Sequence, residues 1–110
     1  MKNSRSNNNG RFFEYLITKY LHEIYQLLLS EQTLKDQLRD SLKSDQIKDV
    51  TKKAMENSLP TIAAWIKTKI NFEKKTYLDR LPDQNKTENR NDHSDIKIFN
   101  EVKQIGISVK

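Results

Sequence analysis

The amino-acid sequence predicts an α/β chain, α+β over these residues, in which helices come first and a β-hairpin comes last. Three observations predict it. Apolar residues recur at helical spacing from Phe13 to Leu28, and a second such pattern opens at Leu59-Pro60. Residues 95–110, DIKIFNEVKQIGISVK, alternate polar and apolar in two runs separated by a four-residue gap.

In the first element Phe13, Ile17, Tyr20, Ile24 and Leu28, with Leu16, Leu21 and Leu27 beside them, predict an amphipathic helix over roughly 11–29. Asn9 or a neighbouring Asn or Ser is expected to cap it. Glu14 falls at the margin of the apolar stripe, where it could reach a site beside the core or act as an ordinary first-turn glutamate. Leu34, Leu38 and Leu42 suggest a second helix, and Ile47, Val50 and Ala54 a third that starts near Asp45. Pro60 suits the first turn of a fourth, whose Ile62, Ile66, Ile70 and Tyr77 are spaced to face a core. Trp65 is read as an anchor of that core; the rival, a platform for nucleic-acid bases, requires an exposed ring on a basic surface. Leu81-Pro82 ends the helical part, and 83–91 is polar and helix-breaking. The expected organisation is a helical N-terminal region over 1–81, a polar connection over 82–94 and the hairpin over 95–110.

Alternation along the hairpin puts Ile96, Ile98, Ile105, Ile107 and Val109 on one face, and Asp95, Lys97, Phe99, Gln104, Gly106, Ser108 and Lys110 on the other. Pairing Asn100 with Lys103 around a tight Glu101-Val102 turn, or Phe99 with Gln104 around a longer one, sets Asp95 opposite Ser108. Lys110 is then its diagonal neighbour. A carboxylate and an ammonium on adjacent strands is the arrangement that a metal-dependent phosphodiesterase needs, the carboxylate anchoring Mg²⁺ and the lysine handling the attacking water.

Composition bounds the rest. With 110 residues, 35% apolar and 32% charged, the chain is one small domain or part of a larger one. A net charge of +5 suits a polyanionic partner. The absence of cysteine excludes disulfides and thiolate metal sites, and His22 and His93 lack metal-ligand spacing. No apolar run approaches a membrane span, and no small-residue cleavage site follows the N-terminal apolar stretch, so a cytoplasmic location is expected. Lys48, Lys52 and Lys53, and further on Lys67, Lys69, Lys74 and Lys75, could each follow a phosphate backbone; the interspersed Asp49, Glu56 and Glu73 favour a solvated face instead.

Asp95 with Ser108-Val109-Lys110 resembles the signature of the PD-(D/E)xK nucleases, an acid at the start of one strand and (D/E)xK on the next. The opening NSRSNNNGRFFEY, Asn3 onward, is similar to the start of HaeIII-type restriction endonucleases, an Asn-rich turn followed by Gly-Arg and Glu-Tyr. Ser94-Asp95-Ile96 with Ile105 to Lys110 is similar to that family's active-site block. The likeness covers the two ends of the chain. It implies the N-terminal, incomplete part of a restriction-endonuclease-like core, and Mg²⁺-dependent hydrolysis of double-stranded DNA at a short palindrome, GGCC. Asp95, with Glu14 or Asp92, would hold the metal; Lys110 would orient or deprotonate the water, and Ser108 would add a hydrogen bond where the wider superfamily has a second acid. Arg11, expected at a helix start, would make a phosphate contact or a structural ion pair. The oligomeric state is not indicated. A second reading, from another class, is a small basic helical module that binds nucleic acid or a protein without catalysis.

A lysine at the end of an edge strand lacks the supporting shell that catalysis requires. Mg²⁺-dependent digestion of GGCC-containing plasmid is therefore expected to show no specific cleavage by these 110 residues alone; cleavage abolished by Lys110→Ala would show the hairpin to be sufficient.

Overall fold

A reversal of the backbone at Gln26 decides how the first half of the chain is used. The computed structural model describes residues 4–81 and 94–109. α1 (Ser4–Tyr25) buries Ile17 and Leu21 and stops where Gln26 takes φ 57°, a left-handed value that a residue with a Cβ adopts only when held there. Two bonds hold it: Gln26 N–H donates to His22 O at 2.9 Å, and His22 Nδ1–H donates to Leu27 O at 2.7 Å. Leu27 then enters the core, and Leu28–Leu29 form β1 instead of a last helical turn. The expected span of 11–29 is corrected at its other end as well. The helix starts at Ser4 and runs through Asn7, Asn8, Asn9 and Gly10, so Asn9 is not its cap. Asn8 Nδ2 donates to Gln46 Oε1 at 2.6 Å, a tether beyond the reach of helix propensity.

α2 (Glu31–Ser41) is capped by Ser30, whose Oγ accepts from Thr33 N–H at 3.1 Å. Its leucines do not face the core. Leu34, Leu38 and Leu42 are 53%, 69% and 73% exposed, while Thr33 and Asp40 on the opposite side are buried. The helix is turned polar side in, to meet Arg80 as described below. A short 3₁₀ turn (Ser44–Gln46) leads to α3 (Asp49–Lys67). The third and fourth helices expected from the sequence are this one helix, with Pro60 in its interior. Proline there removes the N–H that would bond the carbonyl of Glu56. Both residues lie on the exposed side, where that carbonyl is open to solvent. Leu59, Ala63 and Ile66 of α3 face the core, with Ile70 just beyond. Trp65, next to Ile66 but about 100° round the helix, is 50% exposed and is not the core anchor expected.

The sheet has the order β1-β2-β3-β4 and is mixed, with β1 parallel to β2 (Tyr77–Arg80) and β3 (Ile96–Phe99) antiparallel to β2 and to β4 (Gln104–Ile107). Tyr77 is thus a strand residue, not a helical one, and 1–81 contains two strands besides its helices. The described residues form an α+β fold of three α-helices and a four-stranded mixed sheet. The hairpin pairs Ile96 with Ile107 and Ile98 with Ile105. Asn100 N–H donates to Lys103 O at 2.9 Å across the Glu101-Val102 turn, and Asn100 Oδ1 accepts from the N–H groups of Val102 and Lys103, so the tight turn is the one formed. Ile96 and Ile98 are fully buried with Leu78, and Ile105, Ile107 and Val109 pack against the same cluster. Tyr77, Lys97, Phe99 and Gln104 lie on the other face, where Tyr77 and Phe99 stack at 5.3 Å. Among the described residues no helix is long and apolar enough to cross a membrane.

The orientation of α2 is testable by comparing two substitutions. Leu38→Gln is expected to change the free energy of unfolding by less than about 0.5 kcal/mol. Ile66→Ala, at a fully buried position, is expected to cost about 2–5 kcal/mol. Urea denaturation measures both, and a large loss for Leu38→Gln would mean that α2 packs the other way round.

Candidate functional site

Two groups of polar residues meet at the end of the sheet where β3 begins. The first centres on Arg80, the last residue of β2. Leu78 and Arg80 point inward as Tyr77 and Asp79 point outward, so strand alternation drives a guanidinium into the interior, where its residue is 4% exposed. Arg80 Nη2 donates to the Asp40 carboxylate of α2 in a short bond, to Glu14 Oε1 of α1 at 3.2 Å and to Arg11 O at 3.5 Å. Its Nη1 donates to Gln37 Oε1 at 2.9 Å, and its backbone N–H to Thr33 Oγ1 at 3.1 Å. Arg39 grips Asp40 from the solvent side through Nε at 2.9 Å and Nη2 at 2.8 Å, and Lys43 Nζ lies 3.7 Å away.

Burial by itself would raise the Asp40 carboxyl. Hydrogen bonds from Arg39 and Arg80 outweigh it and hold the group below its ordinary value. The same bond to Asp40 raises Arg39 above its own. The polar inner face of α2 is thereby explained. Thr33, Gln37 and Asp40, spaced one turn apart, all serve Arg80.

The second group is at the mouth of the hairpin. Arg80 pairs with Ile96, and the next residues are joined by Leu81 N–H donating to Asp95 O at 2.9 Å. Asp95 is buried, its N–H donates to Ile107 O at 2.8 Å, and its Oδ2 accepts from Val109 N–H at 2.6 Å. The regular ladder ends at Ile96 and Ile107, so the Asp95 carboxylate is drawn to the backbone of Val109 beyond the expected partner, Ser108, which is exposed. Gly106 makes room for this. A Cβ there would stand 2.0 Å from Ser94 Oγ, because Ser94 closes over β4 immediately before Asp95.

Glu14 faces the sheet from α1 and is buried against Arg80, below the strand end that leads to Asp95. Arg11 is two turns into α1, not at the helix start that would attract an anion. Asp92 and Lys110 lie outside the described residues. Sequence reasoning missed Arg80, Asp40, Gln37 and Thr33; the alternation Leu78-Asp79-Arg80 was the one local sign that an arginine would point inward.

Mg²⁺ takes one or two protein carboxylates and completes its shell with water and phosphate. Asp95 fits that donor set in kind, and Glu14 does so with its Oε1 shared with Arg80. Among the described residues no group of three or more metal-ligating side chains occurs. Comparison of the chain with protein-family models, with curated proteins and with solved structures gave no match.

Removing Arg80 would leave two buried carboxylates without their shared cation, so Arg80→Met is expected to cost about 3–5 kcal/mol in urea denaturation. Adding Glu14→Gln and Asp40→Asn should recover part of it. Asp40 has a depressed folded value, so its contribution is complete above about pH 4 and is lost as pH falls through that value. Unfolding free energy measured from about pH 6 to 2 should fall more steeply for the native chain than for Asp40→Asn.

Proposed function

We propose that this chain carries the metal-anchoring strands of a HaeIII-type, Mg²⁺-dependent DNA endonuclease acting at GGCC. The observation that carries the reading is the position of Asp95, buried at the mouth of a hairpin with its carboxylate 2.6 Å from the N–H of Val109, the residue before Lys110 in the chain. An acid just before β3 thus stands against the backbone of the residue that precedes Lys110 in the sequence. In this reading Asp95 binds the cation, with Glu14 or Asp92 as the second acid. Lys110 orients the attacking water and takes or shares its proton, and Ser108 donates a hydrogen bond to a phosphoryl oxygen. The bound Mg²⁺ supplies charge to the phosphoryl oxygens and makes water more acidic. Arg80 sets the position of Glu14 by a 3.2 Å bond and shares its charge.

The test is Mn²⁺ titration of ¹⁵N-labelled protein. Paramagnetic broadening is expected around Asp95 and residues 107–109 and should vanish in Asp95→Asn. A duplex containing GGCC should tighten the metal affinity, because a scissile phosphate supplies further oxygen ligands. Broadening elsewhere, or unchanged in Asp95→Asn, would refute the reading.

One observation favours the non-catalytic alternative, an interaction module: the exposed row Leu34, Leu38 and Leu42 on α2 is a feature of binding surfaces more than of solvated helices. Metal-independent association that ignores GGCC would favour it.

A further inference from the structure

The end of the hairpin remote from Asp95 carries a separate groove. It lies between the end of α1, the end of α3 with the segment after it, and the β3–β4 turn, and is an open cavity of about 860 Å³. Lys67, Lys69 and Lys103 rim it, against one acid, Glu73. All three lysines are exposed, and none of them makes an ion pair among the described contacts. The floor is apolar and aromatic, with Tyr25 and Phe72 stacked at 4.0 Å. Trp65 stands beside it, half exposed, with Lys69 Nζ 5.5 Å from its ring centre.

We infer that this groove binds single-stranded nucleic acid. The rim offers three positive charges against one negative, which fits a phosphate backbone. The exposed indole offers a surface on which an unpaired base can stack, and Lys69 beside that ring can hold the phosphate of the same nucleotide. A duplex hides its base faces, so the aromatic part of the surface has no use for one. A simple anion would need the lysines and not the indole. The groove is distinct from the proposed metal site: the strand between Asp95 and the turn at Asn100 spans about 13 Å at ~3.3 Å per residue. Binding here requires neither metal nor Asp95 and stands apart from the nuclease reading.

The experiment uses the full chain in EDTA with a labelled mixed-sequence single strand of about 12 nucleotides, a length within usual site sizes. Anisotropy measures affinity, and the fluorescence of Trp65, the sole tryptophan, reports on stacking. Saturable binding with quenching is expected. Lys67→Ala/Lys69→Ala/Lys103→Ala should weaken it at least ~10-fold and reduce the slope of log affinity against log salt by about 2, from ~0.7 per phosphate contact. Trp65→Leu should weaken it ~5-fold or more. Lys35→Ala/Lys48→Ala/Lys53→Ala, an equal loss of charge from exposed positions outside the groove, should leave it unchanged. Any of four results would overturn the inference: no quenching, a duplex bound as tightly as the single strand, equal weakening by the Lys35, Lys48 and Lys53 control, or competition by inorganic pyrophosphate at concentrations comparable to the oligonucleotide.

Discussion

The buried guanidinium of Arg80 is the constraint on which the described fold depends. Its Nη atoms join α1 through Glu14 and α2 through Asp40 and Gln37, and its backbone belongs to the strand that pairs with β3. Three elements distant in sequence are thus aligned by one side chain. Burying these charges is costly, and only the number of hydrogen bonds makes the arrangement tolerable. The same cost works against alternatives: an arrangement that moved α2 away would strip Arg80 of Asp40 and Gln37 and leave Glu14 as its one carboxylate among the contacts described.

Seen from that centre, the two ends of the hairpin differ in chemistry. The end beside Arg80 is rich in buried carboxylate, with Glu14 of α1 against Arg80 and Asp95 just before β3. The end at the Glu101-Val102 turn is open, basic and aromatic. The stiffness of β3 and β4 between them comes from Ile96 and Ile98, which are wholly buried, and from the side chain of Asn100, which closes the turn. The proposed cation site and the proposed nucleic-acid groove, on one short sheet, stay out of each other's field best at opposite ends.

How much of this was legible depends on what each signal measures. The hairpin could be read because period-two alternation is local, and the shared face of Ile96, Ile98, Ile105 and Ile107 followed. Helical spacing in α2 correctly aligned Leu34, Leu38 and Leu42 but could not say which way the row would face; the answer came from Arg80, some forty residues on. Pro60 has the same letter whether it opens a helix or sits within one, and only the exposure of its side of α3 decides between them. β1 is two residues long and exists through a backbone reversal at Gln26, for which no glycine gave notice. At the candidate site, Asp95 and Glu14 could be nominated by resemblance and by position on the stripe. The salt bridge that occupies Glu14 required knowledge of which strand lies beneath α1.

A helix held by charges within and bearing leucines without responds to its solvent in the opposite sense to the core beside it. Cooling weakens apolar burial around Ile66 and Leu78 but gives the Asp40–Arg80 contacts no comparable reason to loosen. Salting-out anions strengthen the core and at the same time make the outer row of α2 seek cover from water. In concentrated sulfate or phosphate, then, α2 is the surface through which copies of the chain would first adhere, while at low ionic strength the net charge of +5 keeps them apart.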